Sequence, residues 1–187
     1  MKTFEEVYQI VEESASAEAF NKDEAKALYE ILREQQDHAV WVEIGVQFGR
    51  STSIFAEFVK EKQASFIAID AWGEDVSNEA RNHVYEQIKK YGWEFNMIEG
   101  KSVDIGRIST GLIDVLHIDG DHTFEGVSND IKVWVPKVRP GGYILFDDYG
   151  HDSLPDVYKA VQQFLIPQED IVYIGRYGNK LGVFQRI

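Results

Sequence analysis

From residue 39 onward the chain alternates short runs rich in β-branched and aromatic residues with longer, more polar segments, and this alternation is its strongest constraint on fold. The runs are AVWVEI at 39–44, FIAID at 66–70, FNMIE at 95–99, DVLHID at 114–119 and YILFDD at 143–148. Helical segments fill the gaps at about 51–62, 78–91, 102–109, 124–135 and 155–166, the last opened by Pro155. Strands that alternate with helices form a parallel sheet covered on both faces. The last stretch departs from the pattern: IVYIG and LGVFQRI flank Arg176-Tyr177-Gly178-Asn179-Lys180 and predict a β-hairpin, hence one antiparallel edge. Ahead of the first strand, Phe4, Val7, Tyr8 and Val11, then Ala25, Leu28, Tyr29 and Leu32, recur at helical spacing. They predict two helices broken near Phe20 to Asp23. The expectation is a single domain over 1–187, with N-terminal helices in 1–38 and an α/β core in 39–187. A chain of 187 residues suits one domain that buries about 70% of its unfolded surface.

Charge narrows the partners. The formal net charge is −13, a field that repels phosphate backbones and anionic membranes, so neither nucleic acid nor a membrane is expected as a partner. The chain has no cysteine, which excludes disulfides, thiolate zinc sites and thiol catalysis. Glutamates interrupt the N-terminal stretch where a signal peptide needs an apolar core, and no apolar run approaches membrane-spanning length, so a cytoplasmic location is expected.

In open α/β sheets ligands bind beyond the carboxyl ends of the strands, and the polar residues of this chain collect there. Glu43 to Gly49 follow the first strand, Asp70 ends the second, Glu99 to Ser102 follow the third, Asp119 to His122 the fourth, and Asp147 to Tyr149 the fifth. The first turn, Val42-Glu43-Ile44-Gly45-Val46-Gln47-Phe48-Gly49-Arg50-Ser51, has two glycines that let backbone N–H groups approach a ligand. Its spacing is not that of a dinucleotide site. Glu43 suits a cationic group, and Asp70 can accept both hydrogen bonds of a ribose diol. An ammonium at one end and a ribose at the other describe S-adenosylmethionine. Asp70 as a loop cap remains the alternative. Trp72 covers the adenine or ribose, or only closes its loop.

A second group is acidic. Asp119, Asp121, Asp147 and Asp148 fall at the ends of two neighbouring strands, and carboxylates that close require protons or a cation. Oxygen ligands without His or Cys favour Mg²⁺, Mn²⁺ or Ca²⁺. A pair of acidic turns without metal is the alternative. Asp121 or His122 is placed to take a proton from an acceptor hydroxyl. His151 reads as a substrate contact or a solvated loop histidine, His117 as a core residue, and Tyr149 and Trp72 as the aromatics near a substrate. The loops at 71–78 and 149–155, with Glu74, Asp75, Asp152 and the nearby Asp156, are expected to shape the acceptor pocket.

Through Glu43-x-Gly45-x-x-x-Gly49-x-Ser51 and Ile69-Asp70, residues 40–187 resemble the class I S-adenosylmethionine-dependent methyltransferases. More narrowly, Ile118-Asp119-Gly120-Asp121-His122-Thr123-Phe124-Glu125-Gly126 and Pro140-Gly141-Gly142-Tyr143-Ile144-Leu145-Phe146-Asp147-Asp148-Tyr149 are similar to the small-molecule O-methyltransferases akin to macrocin O-methyltransferase and cephalosporin hydroxylase-type proteins. The resemblance implies a Rossmann-like α/β sandwich, its mostly parallel seven-stranded sheet having an antiparallel C-terminal strand. It implies a cofactor held by Glu43, Gly45, Gln47, Phe48, Gly49, Ser51, Asp70, Trp72, Lys101, Ser102 and Asp119. Gln47 stands where the commonest pattern has a glycine. It further implies a divalent metal, Mg²⁺ above all, on Asp119, Asp147 and Asp148, with Asp121 as general base. The expected activity is metal-assisted O-methylation of a small hydroxylated acceptor. A metal-independent methyltransferase and a non-catalytic cofactor-binding module are the alternatives, and a homodimer that completes the pocket is an open expectation.

Overall fold

A computed structural model describes residues 2–13, 20–72 and 78–187; Glu74 and Asp75, expected to shape the acceptor pocket, lie outside the described residues. The five runs become β1 (Val40–Ile44), β2 (Ser65–Asp70), β3 (Asn96–Glu99), β4 (Ile113–Ile118) and β5 (Val138–Phe146), and the C-terminal pair becomes β6 (Ile171–Tyr177) and β7 (Leu181–Arg186). The helices are α1 (Phe4–Glu13), α2 (Lys22–Glu34), α3 (Arg50–Lys62), α4 (Asn78–Tyr91), α5 (Ser102–Ile108), α6 (Phe124–Trp134) and α7 (Pro155–Phe164).

The seven strands form one sheet in the order β3-β2-β1-β4-β5-β7-β6. Strands β1 to β5 are parallel, and β7 is antiparallel to both β5 and β6. The reversed strand is therefore not the edge: β7 lies inside, and β6 takes the edge. The hairpin lets one of its two strands join β5, and β7 is the one that pairs there. Strand β5 also differs from its predicted span: it starts at Val138 and ends at Phe146, leaving Asp147 and Asp148 in the turn that follows.

Strand alternation sorts the core onto two faces. Trp41, Val115, Leu145 and Val183 face one cluster with Leu28, Phe55 and Phe58 from α2 and α3. Their neighbours Val42, Leu116, Ile144 and Phe184 face the other, with Ile131, Trp134 and Val161 from α6 and α7. Helix α2 opens on a capping box: Asn21 accepts from Glu24 N–H, while the Glu24 carboxylate accepts from Asn21 N–H at 2.8 Å. The Asn21 amide also donates to Gly178 O at 2.7 Å, tying this helix to the β6–β7 turn. Among the described residues no helix is long and apolar enough to cross a membrane. The chain leaves β1 toward β2 on one side and returns to β4 on the other, so the ends of β1 and β4 flank the point where strand order reverses, the place for a ligand.

Candidate functional site

The β1–α3 turn is built by close backbone approach. Gly45 has φ +86°, and a Cβ there would stand 1.9 Å from Asp119 O, so only glycine lets the first and fourth strand ends touch. Gly49 (φ +80°) opens α3. Asp70 closes the turn from β2: its Oδ2 accepts from Val46 N–H (2.7 Å) and Gln47 N–H (2.9 Å), and its Oδ1 from Trp72 N–H (2.7 Å). Gln47, Trp72 and Asp148 all have positive φ (48°, 32° and 56°), a conformation costly outside glycine and concentrated here in the turns of the site.

Beyond the strand ends lies a cavity of about 570 Å³, within the range of small-molecule sites. Of the residues expected to hold a cofactor, Gly45, Asp70, Lys101 and Ser102 line it. Glu43 does not. It is fully buried, and its carboxylate accepts from Ser51 Oγ (2.5 Å) and Thr52 Oγ1 (2.6 Å), with His117 Nδ1 at 3.3 Å. Its place in β1 explains the correction: strand alternation points it with Trp41 under α3, where the helix presents two hydroxyls. Glu43 and Ser51 thus anchor the helix and do not line the cavity. Burial lowers the His117 pKa, but the bond to Glu43 and the surrounding acids outweigh it and leave the group raised.

The other expected cofactor residues act indirectly. Phe48 packs edge-on against His83, Gly49 sits under Val84, and exposed Gln47 contributes its backbone. Trp72 is buried and donates from Nε1 to Gln47 O at 3.4 Å, so it closes the loop. Asp119 meets the cofactor turn through its backbone. Tyr149, expected near a substrate, is 6% exposed and packs on Phe184 and Tyr158, with its hydroxyl accepting from Gln162. His151 and Asp152 are exposed, and Asp156 pairs with Lys159.

Asp130 was not foreseen. It lines the same cavity from α6, is 2% exposed, and accepts from Ser102 Oγ at 2.5 Å. Burial pushes its carboxyl up to about 6, against the Ser102 hydrogen bond that lowers it. An acid inside the apolar helical series Val127, Ile131 and Trp134 is the sequence signal that marks it.

The aspartates after β4 and β5 do gather, but in a different grouping from the one expected. One donor atom each from Asp119, His122 and Asp148 lie within 4.8 Å of one another. His122 Nε2 stands 3.1 Å from Asp119 Oδ1 and 3.3 Å from Asp148 Oδ2. The hydrogen bond to Asp119 holds the imidazole above its ordinary pKa, against its burial. Asp147 lies behind, 3% exposed; burial and then the Asp119 charge push its carboxyl well above the carboxylate range, while Lys180 opposes them. Lys180 Nζ sits 3.2 Å from Asp147 Oδ2 and 3.3 Å from Asp148 Oδ1. The donor set is thus two carboxylates and an imidazole, not carboxylates alone. It fits a divalent ion, with the nitrogen widening the choice from Mg²⁺ toward Mn²⁺ and its neighbours. Asp121 turns the other way: it lines the cofactor cavity, and its Oδ1 accepts from Thr123 N–H at 2.9 Å where α6 begins.

A family described as "Methyltransferase domain" matches residues 42–149, more than half of the chain. An uncharacterized protein of Acanthamoeba polyphaga mimivirus is 30% identical over 166 residues, covering 79% of this chain and 72% of that protein. The 8-demethyl-8-(2,3-dimethoxy-alpha-L-rhamnosyl)-tetracenomycin-C 4'-O-methyltransferase of Streptomyces olivaceus is 33% identical over 69 residues, 37% of this chain and 22% of that enzyme. The crystal structure of a Podospora anserina methyltransferase bound to S-adenosylhomocysteine superposes with a TM-score of 0.74 at 16% identity, covering 98% of this chain and 87% of that one, which shows the shared fold. The glycine turn closed by Asp70, the cavity beside it and the family match agree: this chain belongs to the methyltransferase-domain family, with the Rossmann-like fold of the class I S-adenosylmethionine-dependent enzymes.

Proposed function

We propose that the protein transfers the methyl group of S-adenosylmethionine to a hydroxyl of a small molecule. The observation that carries this reading is the contact of Gly45 with the Asp119 backbone, which gives the cofactor cavity and the acidic cluster a common wall. A methyl donor in the first and an acceptor at the second would be held side by side, and positioning supplies much of a transfer rate. The Streptomyces relative, an O-methyltransferase by name, supports an oxygen acceptor. The net charge of −13 argues against a nucleic-acid acceptor.

Asp70 takes a ribose hydroxyl, Lys101 and Ser102 flank the adenine, and the turn at Gly45 faces the methionine part. Asp119, His122 and Asp148 would hold a divalent ion, Mg²⁺ or Mn²⁺, whose chemistry is to polarise an acceptor hydroxyl. Asp121 lines the cofactor cavity and faces away from this cluster, so of the two groups expected to take the proton, His122, beside Asp119 and Asp148, is the one at the acceptor hydroxyl, and it serves there as the base when no ion occupies the cluster. With isotopically labelled S-adenosylmethionine and a panel of diols and sugars, His122→Ala is expected to lose about a hundredfold or more in turnover, while binding S-adenosylhomocysteine as the parent does. Parallel loss of cofactor affinity would remove His122 from this role. A metal-independent variant of the reaction has one observation in its favour: the Lys180 ammonium already offsets part of the cluster's charge.

Asp130 sharpens the adenine end. Ser102 occupies one of its oxygens, and Oδ2, without a partner among the described residues, is placed to accept from the adenine amine. The ionised acid accepts more strongly than the neutral one, so affinity is highest above about 6 and weakens as pH drops through that value. Calorimetric titration of S-adenosylhomocysteine between pH 5 and 8 should show this acid limb in the parent and none in Asp130→Asn. A flat profile in the parent rules the assignment out.

A further inference from the structure

Register places one more residue at the acidic cluster. Strands β5 and β7 pair antiparallel with Phe146 opposite Gly182, so the turn that follows β5, with Asp147 and Asp148, comes to lie beside Lys180 just ahead of β7. The β6–β7 turn holds the lysine there from below: Asn179 has φ 75°, and Gly178 O accepts from the Asn21 amide at 2.7 Å. The Lys180 side chain is only 14% exposed, and its ammonium reaches Asp147 and Asp148 together, at 3.2 and 3.3 Å. The buried Glu24 carboxylate adds to the negative field around it. This cation is therefore part of the cluster's architecture and no mobile surface charge.

Its consequence concerns a metal ion. Asp148 is a member of the donor set with Asp119 and His122, yet it already shares its charge with Lys180. A divalent ion that takes Asp148 must either stand beside a positive charge or expel it. We propose that Lys180 is a tethered cation that competes with the divalent ion for Asp148, so that metal binds by displacing the ammonium, and that this residue sets the metal affinity of the site. This rests on the methyltransferase reading only for the use of the ion, since the competition itself needs nothing but the cluster.

The test is Mn²⁺ affinity, followed by electron paramagnetic resonance on the full chain. Lys180→Met is expected to bind Mn²⁺ at least about tenfold more tightly than the parent, and Lys180→Arg to stay close to it. Equal or weaker binding by Lys180→Met, or no Mn²⁺ binding by either protein, overturns the proposal. A measurement on the parent guards against a variant that does not fold. Reductive methylation of Lys180, read by mass spectrometry of its peptide, should rise when Mn²⁺ is added, because the displaced amine becomes accessible; an unchanged extent overturns the proposal as well. Titration of the same samples with S-adenosylhomocysteine keeps the two readings apart. Failure of that ligand to bind removes the proposed cofactor, while the Mn²⁺ comparison still decides the role of Lys180.

Discussion

Asp70→Ala is expected to weaken S-adenosylhomocysteine binding by about a hundredfold or more, close to 3 kcal/mol, while the protein stays folded. Two losses add. The carboxylate organises the glycine turn, accepting from the N–H groups of Val46, Gln47 and Trp72, and its removal leaves three backbone donors to water and a loop with two non-glycine residues at positive φ to relax. The second loss is direct. A carboxylate has about four lone-pair positions, and three are taken, so one remains on Oδ1 for a ribose hydroxyl. Hydrogen bonds to charged acceptors contribute about 1.5–3 kcal/mol each, enough for most of the effect from that single contact. Asp70→Asn separates the parts, because the amide keeps one acceptor oxygen but turns a donor toward another donor; it should fall between parent and alanine. Calorimetry alongside thermal unfolding checks this. A loss under about fivefold in a folded alanine variant would mean that the ligand does not meet Asp70 and that the carboxylate serves the loop alone.

The two roles of Asp70 show which parts of the site a sequence can carry. Its position at the end of β2 was legible because strand ends follow from apolar runs, and β2, pairing β1 and β3 on either side, reads as such a run. The same reasoning located the end of β1, placed that of β4 one residue late and that of β5 two residues late. What failed was direction. Glu43 was read as facing a ligand from its distance to the glycines, although the period of two in VWVEI already sets it with Trp41 beneath α3. The Asp-Gly-Asp-His turn after β4 splits, with His122 turning to the acids and Asp121 to the cavity; no periodicity governs such a turn, so spacing alone could not divide it. Lys180 lay further out of reach. Its neighbour Asp148 is fixed by the β5–β7 register, a pairing between segments separated by all of α7 and β6, which local pattern does not specify. Asp130 is legible as the one acid on the buried stripe of α6, a position on a helix and not at a strand end.

Gly45→Ala should be the most damaging glycine-to-alanine change among the described residues, costing about 4 kcal/mol or more and leaving little folded protein. The added carbon would stand 1.9 Å from Asp119 O and 2.4 Å from Asp119 C, and the backbone there has φ +86°, which alanine resists even in open space. Neither neighbour can give way alone. Gly45 N–H is bonded to Ile69 O at 2.8 Å, and Asp119 N–H to Ile44 O at 2.7 Å, so the methyl must part β1 from β2 or from β4 at their ends. Gly141 is the control: it too has positive φ (84°), but a Cβ meets nothing within 4 Å, so Gly141→Ala carries the backbone strain without the clash and should cost about 1 kcal/mol. Denaturant unfolding of the two variants gives the difference, and similar losses would show that strain and not contact makes Gly45 necessary. The contact matters for chemistry as well as stability. Where Gly45→Ala survives at low temperature, opening the wall between the cofactor turn and Asp119 moves donor and acceptor apart, so turnover should fall further than cofactor affinity, because a transfer in line depends on that spacing more steeply than binding does.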